Sequence, residues 1–254
     1  MPTAEQCEGC QSGDPFPIQF TMAFQPVVDF REKSIWGYEA LVRGINGEGA
    51  GTILAAVNQD NLYKFDQACR VRAIELAGKH MPANSTAKLS INFMPNAVYE
   101  PSACIRASLA AAKRSNFDPR RLMFEFTENE HIDDSSHVEG IVHSYREMGF
   151  TTALDDFGAG YAGLSLLAKF QPDLIKIDME LVRGVDASAP RKAIIKGIVE
   201  IAEALDILVL GEGVETRAEA DALLDAGIAL QQGYYFAKPA LETFVTEDQI
   251  EVLR

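Results

Sequence analysis

Short apolar segments alternate with longer stretches of helical periodicity along the whole chain, and this alternation limits what it can fold into. The strand-like segments are 20–28, 36–43, 88–93, 122–127, 151–156, 174–178, 207–212 and 230–236. Between them, 51–79, 97–114, 134–148, 161–170, 190–205 and 216–226 carry helical spacing. Eight strands alternating with helices over 254 residues predict an α/β fold of the (β/α)8, TIM-like barrel type rather than an open doubly wound sheet. The first connection departs from this pattern. Only DFREKSI, 29–35, joins the first strand to the second. That is too short for a helical crossover, so the first strand is expected to be irregular, pairing antiparallel with the second. Helix punctuation agrees elsewhere: Gly149 and Gly227 follow helical runs, and Thr216 with Glu219 reads as a capping box. Residues 1–17 are polar with Pro and Gly and read as a flexible lead-in, and 18–254 read as a single barrel domain.

Nearly every strand-like segment ends in a carboxylate or carboxamide. In order these are Glu39, Asn92, Glu125 with Glu128, Asp155–Asp156, Lys176 with Asp178, Glu212 with Glu215, and Gln232. In a parallel barrel the C-terminal strand ends open on one face, where barrel enzymes keep their chemistry. Each residue has a plainer account. The aspartate pair could cap a helix, Glu39 could pair with Arg43, and Lys176 could pair with Asp178. Together those accounts require a polar group at almost every strand end by coincidence, several after apolar runs where burial penalises them. A cup this rich in anionic oxygen, with one lysine, repels itself unless cations occupy it, and two adjacent carboxylates can bridge two ions. The histidines His80, His131, His137 and His143 avoid the strand ends. The donor set therefore favours Mg2+ or Mn2+ over zinc.

The net charge is −14. That argues against binding nucleic acid or an anionic membrane, while metals in the cup would still admit a small phosphorylated ligand. No apolar run is long enough to span a bilayer, and the N-terminus lacks the pattern of a secretory signal, so a cytoplasmic protein is expected. Cys69 and Cys104 read as buried small hydrophobes, and Cys7 and Cys10 form a CxxC without a second ligand pair. Phosphate-loop, dinucleotide and serine-hydrolase motifs are absent.

The blocks FQPVVD, YEALVRG, LSINFMP, FEFTE, DDFGAGY, PDLIKID, GEGVET and QQGYYFAKP, in this order from about 20 to 240, resemble the EAL family of cyclic di-GMP phosphodiesterases. The segments FDQACRVRAIELA and INFMPNAVYEPSACIR are most similar to EAL domains attached to BLUF blue-light sensors. The resemblance implies metal-dependent hydrolysis of cyclic di-GMP to linear 5'-pGpG. It implies Glu39, Asn92, Glu125 and Asp155 as ligands of one ion, with Asp155, Asp156 and Glu212 holding a second. Lys176 and Glu212 are implied to act on the attacking water, and Arg43 and Gln232 to touch substrate. Glu128 is implied to hold the loop after Asp156, with Asp178 and Glu215 supporting the ligands. The family also implies a homodimer through about 157–170, and the BLUF likeness a sensor or regulator acting in trans. Ala162 and Gly163 replace serines common in that loop. The alternative is a non-catalytic cyclic di-GMP receptor or interaction module.

Overall fold

The computed structural model describes residues 16, 18–98, 100–127, 135–160 and 163–254. Its strands are β1 (Phe20–Asp29), β2 (Ser34–Gly44), β3 (Lys88–Asn92), β4 (Leu122–Thr127), β5 (Thr151–Phe157), β6 (Leu174–Ile177), β7 (Leu208–Gly211), β8 (Leu230–Gln231) and β9 (Ala240–Leu241). From β2 to β8 each strand pairs in parallel with the next. β1 runs antiparallel to both β2 and β8 and so closes an eight-stranded barrel. The short first connection thus produces the hairpin that its length requires. β9, unforeseen in the sequence, adds to β1 at Ala23 and Phe24.

The helices are α1 (Ala50–Leu54), α2 (Leu62–His80), α3 (Pro101–Cys104), α4 (Arg106–Arg114), α5 (Ser135–Glu147), α6 (Gly163–Leu167), α7 (Met179–Val182), α8 (Ala189–Ala204) and α9 (Arg217–Asp225). The expected helix 51–79 is broken in two. Asn58 and Asn61 bond locally there: the Asn58 N–H donates to Asn61 Oδ1 at 2.8 Å, and Asn61 Nδ2 donates to the Ala56 carbonyl at 2.9 Å. Such side chains compete with helical bonding. The capping box at Thr216 and Glu219 forms as read.

Two apolar layers result from strand alternation. Outward residues such as Phe24, Phe124, Phe126, Leu154 and Ile175 pack beneath the helices. Inward, Val27, Met123, Ala153, Leu174, Leu210 and Leu230 fill the barrel, with Trp36 against them. Phe16 is buried against Phe20 and Phe65, and Cys69 and Cys104 are buried free thiols.

Candidate metal centre at the mouth of the barrel

The polar layer lies two residues beyond the inward apolar one on each strand, because inward positions recur every second residue. Met123 is followed by Glu125, Ala153 by Asp155, Leu174 by Lys176, Leu210 by Glu212 and Leu230 by Gln232. On antiparallel β1 the order reverses, so Gln25 precedes Val27 and stands opposite Glu39. Glu39, Glu125, Asp155, Lys176 and Gln232 are all buried.

Lys176 sits in the middle of this layer. Its Nζ lies 2.8 Å from Glu212, 3.0 Å from Glu125, 3.1 Å from Asp155 and 3.7 Å from Glu39. Burial alone lowers a lysine's pKa. Asp155, Glu125, Glu212 and Glu39 outweigh it and hold the ammonium well above its usual range. The carboxylates feel the converse. Burial pushes Glu125 up to about 8, opposed by Lys176 and reinforced by Glu39 and Asp155. Burial, then Asp155 and Asp178, push Asp156 up to about 6. Glu212 is raised well above the carboxylate range, again chiefly by burial.

β5 reaches the cup with two consecutive carboxylates through a bulge. Leu154 pairs with Ile175 and Phe157 with Ile177, so Asp155 and Asp156 together face the single residue Lys176. Asp156 takes a left-handed φ of 56°, where Asp is among the few tolerated non-glycine residues. Its N–H donates to Asp155 Oδ1 at 2.9 Å. Adjacent residues of a regular strand point to opposite faces, and the bulge lets both carboxylates reach one site within the strand.

Oxygens of Glu39, Glu125 and Asp155 lie within 4.8 Å of one another, as do those of Asp155, Asp156 and Glu212. Asp155 belongs to both groups. Glu125 Oε1 is buried and accepts no hydrogen bond among the described residues. An orphaned buried acceptor is costly unless a ligand completes it. Five carboxylates against one ammonium leave four formal negative charges, which two divalent ions carry in opposite sign. The donor set therefore fits two hard cations with oxygen ligands.

The remaining expected residues surround this core. Asn92 Nδ2 donates to Glu39 Oε1 at 3.2 Å, and Gln232 Nε2 donates to Glu39 Oε2 at 2.7 Å and to Gln25 Oε1 at 3.1 Å. Asp178 caps α7, accepting from the Glu180 N–H at 2.8 Å, and Glu215 pairs with Arg183 at 2.7 Å. Both line a cavity of about 310 Å³ with Glu39, Asp156, Glu212 and Gln232. Arg43 forms no ion pair with Glu39; its Nη1 donates to the Val42 carbonyl at 2.7 Å. It lines a second, apolar cavity of about 570 Å³ that shares Leu41 and borders Asn92. Glu128, His131, Cys7 and Cys10 lie outside the described residues.

Two contributors escaped the sequence reading. Gln25 links Gln232 to the Ala237 carbonyl, and its place opposite Glu39 follows from the hairpin register. Asp66 on α2 is buried in an ion pair with Arg70 at 2.6 Å and accepts from the Met94 N–H at 3.0 Å, two residues past Asn92. Its helical spacing gave no signal of that reach.

The fold and site define a (β/α)8 barrel whose C-terminal mouth is a carboxylate cup suited to two divalent ions. The chain belongs to the EAL domain family, whose model matches residues 18–239. It is 35% identical over 220 residues to the blue light- and temperature-regulated antirepressor BluF of Escherichia coli K12, covering 86% of this chain and 54% of that protein. It is 32% identical to the probable cyclic di-GMP phosphodiesterase PdeG of the same strain, covering 85% and 44%. The chain thus spans about half the length of these curated relatives. Among solved structures, a standalone EAL protein of Vibrio cholerae O395 in its c-di-GMP-bound form is 52% identical with a TM-score of 0.86, covering 91% and 96% of the two chains. The manganese and cyclic di-GMP complex of Klebsiella pneumoniae BlrP1 is 36% identical with a TM-score of 0.80, covering 90% and 58%.

Proposed function

We propose that this chain hydrolyses cyclic di-GMP to linear 5'-pGpG with two divalent ions, Mg2+ or Mn2+. The observation that carries the reading is Asp155, which belongs to both oxygen groups of the cup. Glu39, Asn92, Glu125 and Asp155 are the ligands of one ion, and Asp155, Asp156 and Glu212 those of the other. When bound, the ions lower the pKa of a coordinated water and offset charge developing on the phosphoryl oxygens. Gln232 and Asn92 orient the Glu39 carboxylate through the bonds they donate to it. The Lys176 ammonium, fixed by four carboxylates, is placed to hold the attacking water or neutralise charge as the phosphodiester opens. Glu212, 2.8 Å from the Lys176 ammonium, orients that water and takes its proton. Arg43 and Gln232 are assigned to substrate contact, from the cavities they line. A sensor or regulator acting in trans fits the likeness to BluF.

The test is chromatography of the products from cyclic di-GMP and purified protein with Mg2+ or Mn2+, beside Glu39→Ala. Linear pGpG from the parent alone supports the reading, and full activity in the variant overturns it. Tight binding of cyclic di-GMP without turnover in either metal moves the protein to the receptor class.

A further inference from the structure

Helix α2 buries a mostly apolar face, with Phe65, Cys69, Ala73, Ile74, Leu76 and Ala77 on it. Two charged residues share that face. The side chains of Asp66 and Arg70 are 1% and 0% exposed and pair at 2.6 Å. A buried pair of this kind adds little to stability, since apolar residues of similar volume often serve as well or better. Its presence calls for a reason other than packing.

The second oxygen of Asp66 supplies one. Oδ1 accepts from the Met94 N–H at 3.0 Å. Met94 is where the chain leaves the barrel. The Phe93 N–H still donates to the Glu125 carbonyl at 2.9 Å, one step past the pairing of Asn92 with Glu125. Pro95 then opens a short 3-10 turn, Pro95–Ala97, and restricts Met94 to extended backbone, with φ −105° and ψ 109°. The Met94 N–H therefore lies beyond the β3 ladder and needs a partner from elsewhere. A carboxylate fixed by a guanidinium is a strong one. Arg70 fixes it, and donates also to the Asp66 and Cys104 carbonyls, each at 3.5 Å. The segment so anchored begins at Asn92, whose Nδ2 donates to Glu39 Oε1 at 3.2 Å. Asp66, Asn92 and Met94 line the same cavity.

We infer, resting on the two-ion reading above, that Asp66 is a positioning residue for one of the two ions: through the Met94 N–H it fixes the course of residues 92–94 and so the reach of Asn92 into the cup. Arg70 sets Asp66, Asp66 sets the backbone, and the backbone sets Asn92. Asn92 is assigned only to the ion of Glu39, Glu125 and Asp155. The effect is therefore confined to that ion, and the ion of Asp155, Asp156 and Glu212 is spared.

Titration calorimetry with Mn2+ on the full chain tests it, with pGpG formation followed on the same samples and circular dichroism confirming the fold. Asp66→Leu with Arg70→Met removes both charges and the acceptor together, leaving no buried charge unpaired. It should weaken one Mn2+ site at least about tenfold, leave the other within about threefold, and slow hydrolysis at least about tenfold. Asp66→Asn with Arg70→Met is equally uncharged but returns an oxygen to the Met94 N–H. It should recover the weakened site to within about threefold of the parent. Two intact sites in the Leu variant overturn the inference. So does an Asn variant that loses as much, because the loss then follows the charges and not the acceptor. If the Leu variant does not fold, Asp66→Ala with Arg70→Met, which also lacks the acceptor, is read in its place, and a loss in the Asn variant still refutes the inference by itself. A parent that binds no Mn2+ and forms no pGpG overturns the two-ion reading, and the inference with it.

Discussion

The carboxylates around Lys176 keep its buried ammonium charged, and the ammonium in turn limits how far burial raises Glu125 and Glu212. Replacing Lys176 with Met removes the one cation among four close carboxylates. Breaking a buried pair of this kind costs about 3 kcal/mol or more. Thermal unfolding in chelator should therefore shift down by about 6–12 °C. Hydrolysis should fall by about a hundredfold or more, because among the described residues no other ammonium pairs with these carboxylates. The carboxylates also predict a pH dependence. Glu125 is raised from 4.5 to about 8, so between those values the folded chain keeps a proton that the unfolded chain has lost. Metal-free stability must then fall as pH rises through that interval. Asp156 acts in the same sense from 3.8 to about 6. A divalent ion displaces these protons, so the rise in melting temperature on adding Mn2+ should be larger near about pH 8 than near about pH 6. An increment that is flat or shrinks with pH would contradict this.

Among the elements, β5 shows where function overrides regularity. Its bulge and the left-handed Asp156 turn two neighbouring side chains into one cup, at the expense of like charge and a rarely populated backbone conformation. Asp156→Asn keeps a residue that tolerates that φ and removes a charge. The metal-free variant should melt about 2–4 °C higher, roughly 1 kcal/mol, at a pH above about 6. Its hydrolysis should fall by about a hundredfold or more. Calorimetry and product chromatography on the same samples check the opposed signs. The strand bearing these residues was legible in TALDD, an apolar run closed by acids, because burial penalties make such acids conspicuous. The bulge was not legible, since one extra residue leaves the apolar pattern unchanged. The split between α1 and α2 was legible only in the NQDN stretch, whose local bonding the surrounding apolar spacing masked. Strand β8 ends at Gln231 rather than running to 236. There Gly233 lies so close to the Val214 backbone that a side chain would collide, and the chain turns away from the sheet. No local periodicity carries that contact.

In the whole molecule, the apolar fill of the barrel and the layer beneath the helices are built without the cup. Chelation should therefore leave the far-ultraviolet dichroism unchanged while lowering the melting temperature. An ion present at a hundred times its dissociation constant stabilises by about 2.7 kcal/mol per site. Two sites should raise the melting temperature by about 10–20 °C for a chain of this size. Loss of helical signal on chelation would instead make the ions part of the fold. The shared carboxylate gives a sharper test of the architecture. Glu125 belongs to one oxygen group and Asp155 to both. Titration calorimetry with Mn2+ should resolve two sites in the parent, leave one in Glu125→Gln, and weaken both in Asp155→Asn. Equal losses from the two variants would mean that the ions are not joined through Asp155. The step from a row of acids at strand ends to a two-ion centre depends on that difference.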